Sequence, residues 1–165
     1  MKLLQRVDEL IGRGEGALLI VLLSIMVVLS FAQVVLRNLF SESLLWGEIF
    51  LRHMVLWIGF LGAARATGEG RHITIDAFTR FLSPRMKLVA RILTNAFAVT
   101  ICFFLMKASL KFLADEVESG STLHGDVPSW YSQIIIPVGF ALIIIHFLVR
   151  IARGVHSFRT GAIEK

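Results

Sequence analysis

Residues 17–36 read ALLIVLLSIMVVLSFAQVVL, twenty consecutive positions without a charge. At 1.5 Å rise per residue a helix of this length extends about 30 Å, the thickness of the hydrocarbon core of a bilayer. Three further apolar stretches of comparable length follow, at about 44–64, 88–106 and 133–149. The chain is 165 residues long, 56% of them hydrophobic, with a mean hydropathy of +0.75. A soluble domain of this size cannot bury so much apolar surface, so the excess must face lipid or another protein. The expected fold is an all-α membrane protein, a single four-helix domain over 1–165 with four transmembrane spans.

The formal charge of +5 and the pI near 10.0 do not describe a nucleic-acid-binding protein, because the basic residues form no contiguous stripe. They follow the loops instead. Twelve lie before the first span, between the second and third, or after the fourth, from Lys2, Arg6 and Arg13 to Arg150, Arg153, Arg159 and Lys165. Only Arg37, Lys107 and Lys111 lie on the other side, and Arg52 and Arg91 fall within spans. The positive-inside rule therefore places both termini in the cytoplasm. Ser30, Phe31 and Ala32 loosely resemble a leader cleavage site, but the apolar run continues past them and reads as an uncleaved span. Cys102, alone in the third span, is expected to act as a small apolar filler.

Between the spans the pattern changes. Residues 2–13 alternate apolar and charged positions at helical period, which predicts an amphipathic segment on the cytoplasmic surface, and Gly12, Gly14 and Gly16 are expected to break it before the first span. A second interfacial segment is expected over 73–84, ended by Pro84. Ser43 is an N-cap candidate for the second span, and the short link predicts that spans one and two pair antiparallel. Trp130 and Tyr131 suit the interfacial belt at the start of span four, which Pro137 should kink.

Ionisable groups at membrane depth are costly and mark candidate sites. Glu48, Arg52 and His53 lie in span two, where Glu48 and Arg52 are spaced to neutralise each other across one turn. Arg91 differs from Glu48 in depth by about 20 Å and is expected to reach headgroups or an acid such as Asp76. His53 and His146 raise the alternative of a haem-binding membrane anchor, which their unequal depths oppose. A further alternative is a small self-assembling, proton-coupled multidrug-type transporter with Glu48 as the exchanging acid, which pairing with Arg52 opposes. No nucleotide loop, metal motif or nucleophile constellation is present, so no enzyme activity, cofactor or metal is expected of this chain. Gly59 with Ala63 and Gly62 with Ala66 match the spacing that lets another helix approach closely.

The run Trp46-Gly47-Glu48 with Arg52, then Phe60 to Arg65, then Gly70 to Asp76 with His72, resembles the small membrane subunit of tripartite ATP-independent periplasmic (TRAP) transporters, the DctQ family. Val127 to Trp130 and Ile136 to Phe140 are similar to that family's entry into its final helix. The resemblance implies a non-catalytic small permease subunit in the bacterial inner membrane, separate from the large multi-span permease that it braces. The implied system imports organic acids such as dicarboxylates, keto acids or sugar acids, with a periplasmic substrate-binding protein as second partner and sodium coupling in the large subunit. Candidate residues for contact with the large permease are Trp46, Glu48, Arg52, Gly59, Gly62, Arg65, His72 and Asp76. Asp115, Glu116, Glu118 and Asp126 form an acidic outer loop expected near the docked binding protein.

Overall fold

The computed structural model describes residues 2–40, 45–69, 84–125 and 127–160. Four long helices account for the four apolar stretches: α1 Lys2–Phe40, α2 Leu45–Glu69, α3 Pro84–Ser119 and, after the short α4 Trp130–Gln133, α5 Ile135–Thr160. All four are long and apolar enough to cross a membrane. The chain is therefore a multi-pass membrane protein. A two-stranded antiparallel ribbon, β1 Thr122–His124 and β2 Val127–Pro128, links α3 to α4, and Gly120 and Gly125 supply the positive φ angles of +63° and +60° that its turns require.

The helices form a row rather than a closed bundle. α1 packs on α2, α2 on α5, and α5 most extensively on α3. The most apolar windows of α1 and α3 contain no buried residue, as expected of helices whose outer surfaces meet lipid. Ala64 of α2 and Ile143 and Phe147 of α5 form the core, with Ala98, Val99 and Cys102 of α3 packed against it. Cys102 thus has the filler role read from the sequence.

Pairwise contacts fix the relative directions. Trp57 Nε1 donates to the carbonyl of Ser132 at 2.9 Å, the rings of Phe60 and Phe140 meet edge to face at 5.3 Å, and Gly68 abuts His146, so α2 and α5 run parallel. Gly12 meets Arg65, and Gly154 meets Ile92 and Leu88, so α1 and α3 run the other way. Asp8 contacts Arg153, which places the first turns of α1 and the last turns of α5 at one end of the row.

Two details differ from the sequence reading. Gly12, Gly14 and Gly16 do not interrupt the chain: α1 continues through them, so the segment 2–13 is the extension of span one and not a separate surface helix. A helical glycine costs only about 1 kcal/mol relative to alanine. At Gly12 it also has a use, since a Cβ there would lie 2.6 Å from Arg65 Nη1. The interruption attributed to Pro137 falls at Ile134, between α4 and α5. Proline lacks the donor for the carbonyl four residues earlier and crowds it, so the distortion falls upstream. Pro84 begins α3, where a missing N–H is harmless. Ser43 and residues 73–83 of the second interfacial segment lie outside the described residues.

Candidate functional site

The 3.6-residue period divides α2 into two faces. Met54, Leu61, Ala64 and Thr67 are buried within the chain, Ala64 completely. Glu48, Arg52, Val55, Gly59 and Ala63 follow one another at steps of four, three, four and four residues and are all exposed, forming one outward stripe. Nothing lies within 4 Å of a Cβ built on Gly59 or on Gly62. Trp46 and Phe50 are also exposed near the N-terminal end of α2.

Glu48 and Arg52 do not neutralise each other as their spacing suggested: among the described residues no ion pair joins them. An exposed pair one turn apart gains only a few tenths of a kcal/mol and loses side-chain freedom. Two unpaired charges on the outer face of a membrane helix are costly against hydrocarbon. Such a face is suited to a polar partner.

The remaining expected site residues separate into groups. Arg65 is held within the chain: its Nε donates to Glu69 at 2.7 Å and its Nη1 donates to the Gly12 carbonyl. Asp115, Glu116 and Glu118 lie on the last turns of α3 and not in a loop, because the helix continues to Ser119. Glu116 accepts from Ser121 Oγ, while Asp115 and Glu118 are exposed. Arg91 is exposed on α3. His72, Asp76 and Asp126 lie outside the described residues.

The second polar constellation is internal and joins three helices. His146 of α5 is 1% exposed, with Nδ1 2.7 Å from Asp8 Oδ1 and Nε2 3.2 Å from Glu15 Oε1. A neutral imidazole has one N–H, so the ring donates to both carboxylates at once only with two protons. Arg153 Nη2 donates to the other oxygen of Asp8 at 2.5 Å. Gly68 lets α2 close over the ring, since a Cβ there would lie 2.9 Å from His146 Cε1. His53 instead donates from Nδ1 to the Ile49 carbonyl one turn earlier. Gly68 marks the depth of His146 on α2, and fifteen residues separate it from His53, about 22 Å along the axis. The two imidazoles cannot share a haem iron.

Sequence reasoning singled out His146 but missed Asp8 and Glu15 as its partners. Glu15 carried a usable signal: it is an acid among glycines directly before an uncharged run, at the same end of the row as His146.

A sequence profile of the tripartite ATP-independent periplasmic transporters, DctQ component, matches residues 26–157. The chain belongs to the DctQ family. The ectoine TRAP transporter small permease protein TeaB of Halomonas elongata is 26% identical over 156 residues, covering 94% of this chain and 81% of the relative. The C4-dicarboxylate TRAP transporter small permease protein DctQ of Pseudomonas aeruginosa is 24% identical, covering 91% and 86%. The sialic acid TRAP transporter permease protein SiaT of Haemophilus influenzae is 29% identical over 108 residues, covering 64% of this chain but only 16% of SiaT. A DctQ protein is a transporter component and not an enzyme, and membership of the family implies a large permease partner.

Proposed function

We propose that this DctQ protein is the non-catalytic small permease subunit of a sodium-coupled, binding-protein-dependent importer of organic acids in the bacterial inner membrane, with both termini cytoplasmic. It braces the large permease through the outward stripe of α2. The observation that carries this reading is the exposure of Glu48, Arg52 and Gly59 on one face of a helix whose opposite face is buried in its own chain. Relatives named for ectoine, C4-dicarboxylates and sialic acid support small organic acids as the substrate class. The excess of Lys and Arg at the end of the row that holds both termini supports the orientation. Glu48 on an outer face does not support a self-sufficient proton-exchanging transporter.

Copurification with the large permease tests the bracing role. Arg52→Glu combined with Gly59→Leu is expected to reduce recovery of the large permease on the tagged chain by about tenfold or more, the equivalent of 1.4 kcal/mol of contact energy. The chain's own thermal unfolding should change little, because both positions are exposed. Undiminished recovery would remove α2 from the interface.

The helical end of α3, with Asp115, Glu116 and Glu118, and the neighbouring Asp126 are proposed to face the docked binding protein. Neutralising all four is expected to raise the binding-protein concentration needed for half-maximal uptake several-fold, more at low salt than at high salt. Uptake with an unchanged binding-protein dependence would dismiss this surface.

A further inference from the structure

The polar constellation borders a cavity of about 260 Å³ whose walls include Arg13, Glu15, Arg65, Glu69 and His146. Most of the polar groups here are already engaged. His146 binds Asp8 and Glu15, Arg153 binds Asp8, and Arg65 uses Nε on Glu69 and Nη1 on Gly12. Besides Arg65 Nη2 and the buried Nε of Arg153, which has no hydrogen-bond partner, two capacities at the cavity remain unmet. Glu15 is 5% exposed, and its Oε2 is buried without a hydrogen-bond partner. Arg13 is exposed, lines the same cavity and makes no ion pair among the described side chains. A buried carboxylate oxygen without a donor is costly, so the site favours an occupant that supplies one.

The site therefore holds a deep acceptor with negative charge and, nearer to solvent, one guanidinium of Arg13 and the unengaged Nη2 of Arg65. Arg13 and Glu15 directly precede the uncharged run that begins at Ala17, and Glu69 ends α2, at the level where helices pass from hydrocarbon to headgroups, while His146 lies deeper within Trp130–His156. The complementary occupant is a zwitterion with a hydrogen-bond-donating ammonium at its tip and a phosphate two carbons behind, attached to acyl chains in the bilayer. A trimethylammonium has no N–H to give Glu15, and a purely anionic headgroup would bring its charge toward Asp8, Glu15 and Glu69. No cluster of three or more metal-ligating side chains occurs among the described residues. We propose that this cavity binds the headgroup of an ethanolamine phospholipid, its ammonium donating to Glu15 Oε2 and its phosphate meeting Arg13 and Arg65. The lipid would then fasten the N-terminal turns of α1 to α2 and α5.

Thermal unfolding of the delipidated full chain in detergent, followed by tryptophan fluorescence, tests the assignment. Phosphatidylethanolamine is expected to raise the midpoint by about 5 °C at saturating mole fraction, whereas phosphatidylcholine and phosphatidylglycerol with the same acyl chains shift it by about 1 °C or less. Soluble O-phosphoethanolamine should produce no comparable shift, which distinguishes a membrane lipid from a free zwitterion. Arg13→Gln should at least halve the phosphatidylethanolamine shift measured from that variant's own lipid-free midpoint, and Glu15→Gln should abolish it. If Glu15→Gln does not fold, the headgroup series and Arg13→Gln decide. Equal shifts with phosphatidylcholine, a full shift with O-phosphoethanolamine, or an undiminished shift in Arg13→Gln would each overturn the proposal.

Discussion

Replacing His146 by alanine is expected to lower the stability of the chain by about 3 kcal/mol or more, because it removes a fully buried side chain and leaves a buried carboxylate without its hydrogen-bond partner. The imidazole lies between two carboxylates, and their fates differ once it is gone. Asp8 keeps Arg153. Glu15 keeps no partner among the described side chains, and its burial denies it water. Most of the loss thus comes from a stranded carboxylate and not from the absent ring. A double-mutant cycle separates the two: adding Glu15→Leu to the alanine variant should restore a substantial part of the lost stability, because no charge is then left buried. Unfolding in detergent measures all three variants. A loss below about 1 kcal/mol for His146→Ala would mean that the three-helix contact is not sustained by charge.

Gly139→Ala is the second large effect. An added Cβ would lie 2.5 Å from Phe60 Cδ1, 2.8 Å from its Cβ and 2.9 Å from its Cγ. The ring tip could rotate away, but Phe60 Cβ is fixed to the backbone of α2. The two helices must therefore separate, disturbing the Phe60–Phe140 contact and the Trp57–Ser132 hydrogen bond on the same seam. Overpacking of this kind costs about 1–3 kcal/mol, and anchoring on a main-chain-proximal atom favours the upper end. Gly59→Ala is the matched control. Its Cβ would meet nothing within 4 Å, and alanine is the better helix former, so the isolated chain should be unaffected or slightly stabilised. Equal losses for the two glycines would contradict the assignment of one to an internal seam and the other to an outer face.

The four helices were legible because a run such as Ala17–Leu36 has no other use, and its length alone sets the architecture. That both chain ends share one side was legible from charge, and the Asp8–Arg153 contact agrees with it. Local rules failed where tertiary contacts compete with them. Three glycines in five residues read as a break, yet one of them admits an arginine from α2. The spacing of Glu48 and Arg52 read as an ion pair, though spacing permits a contact and does not create one. Asp8 read as the polar side of a surface helix, since its partners on α5 are 138 and 145 residues away. Separation of that order hides a constellation from periodicity, which reports only which neighbours share a face.

α3 is 36 residues long, about 54 Å, whereas about 20 residues suffice to cross the hydrocarbon. Its last turns, from Lys107 to Ser119, carry most of its charge and project at the end opposite the two termini. A rod packed along α5 and continued beyond it is a lever. A sideways push on that tip would tilt the whole rod and carry α5, its most extensive neighbour, with it. Mechanical load applied outside the membrane at one side would thereby reach the buried His146 contacts near the other, through a single unbroken helix and the helix on which it lies.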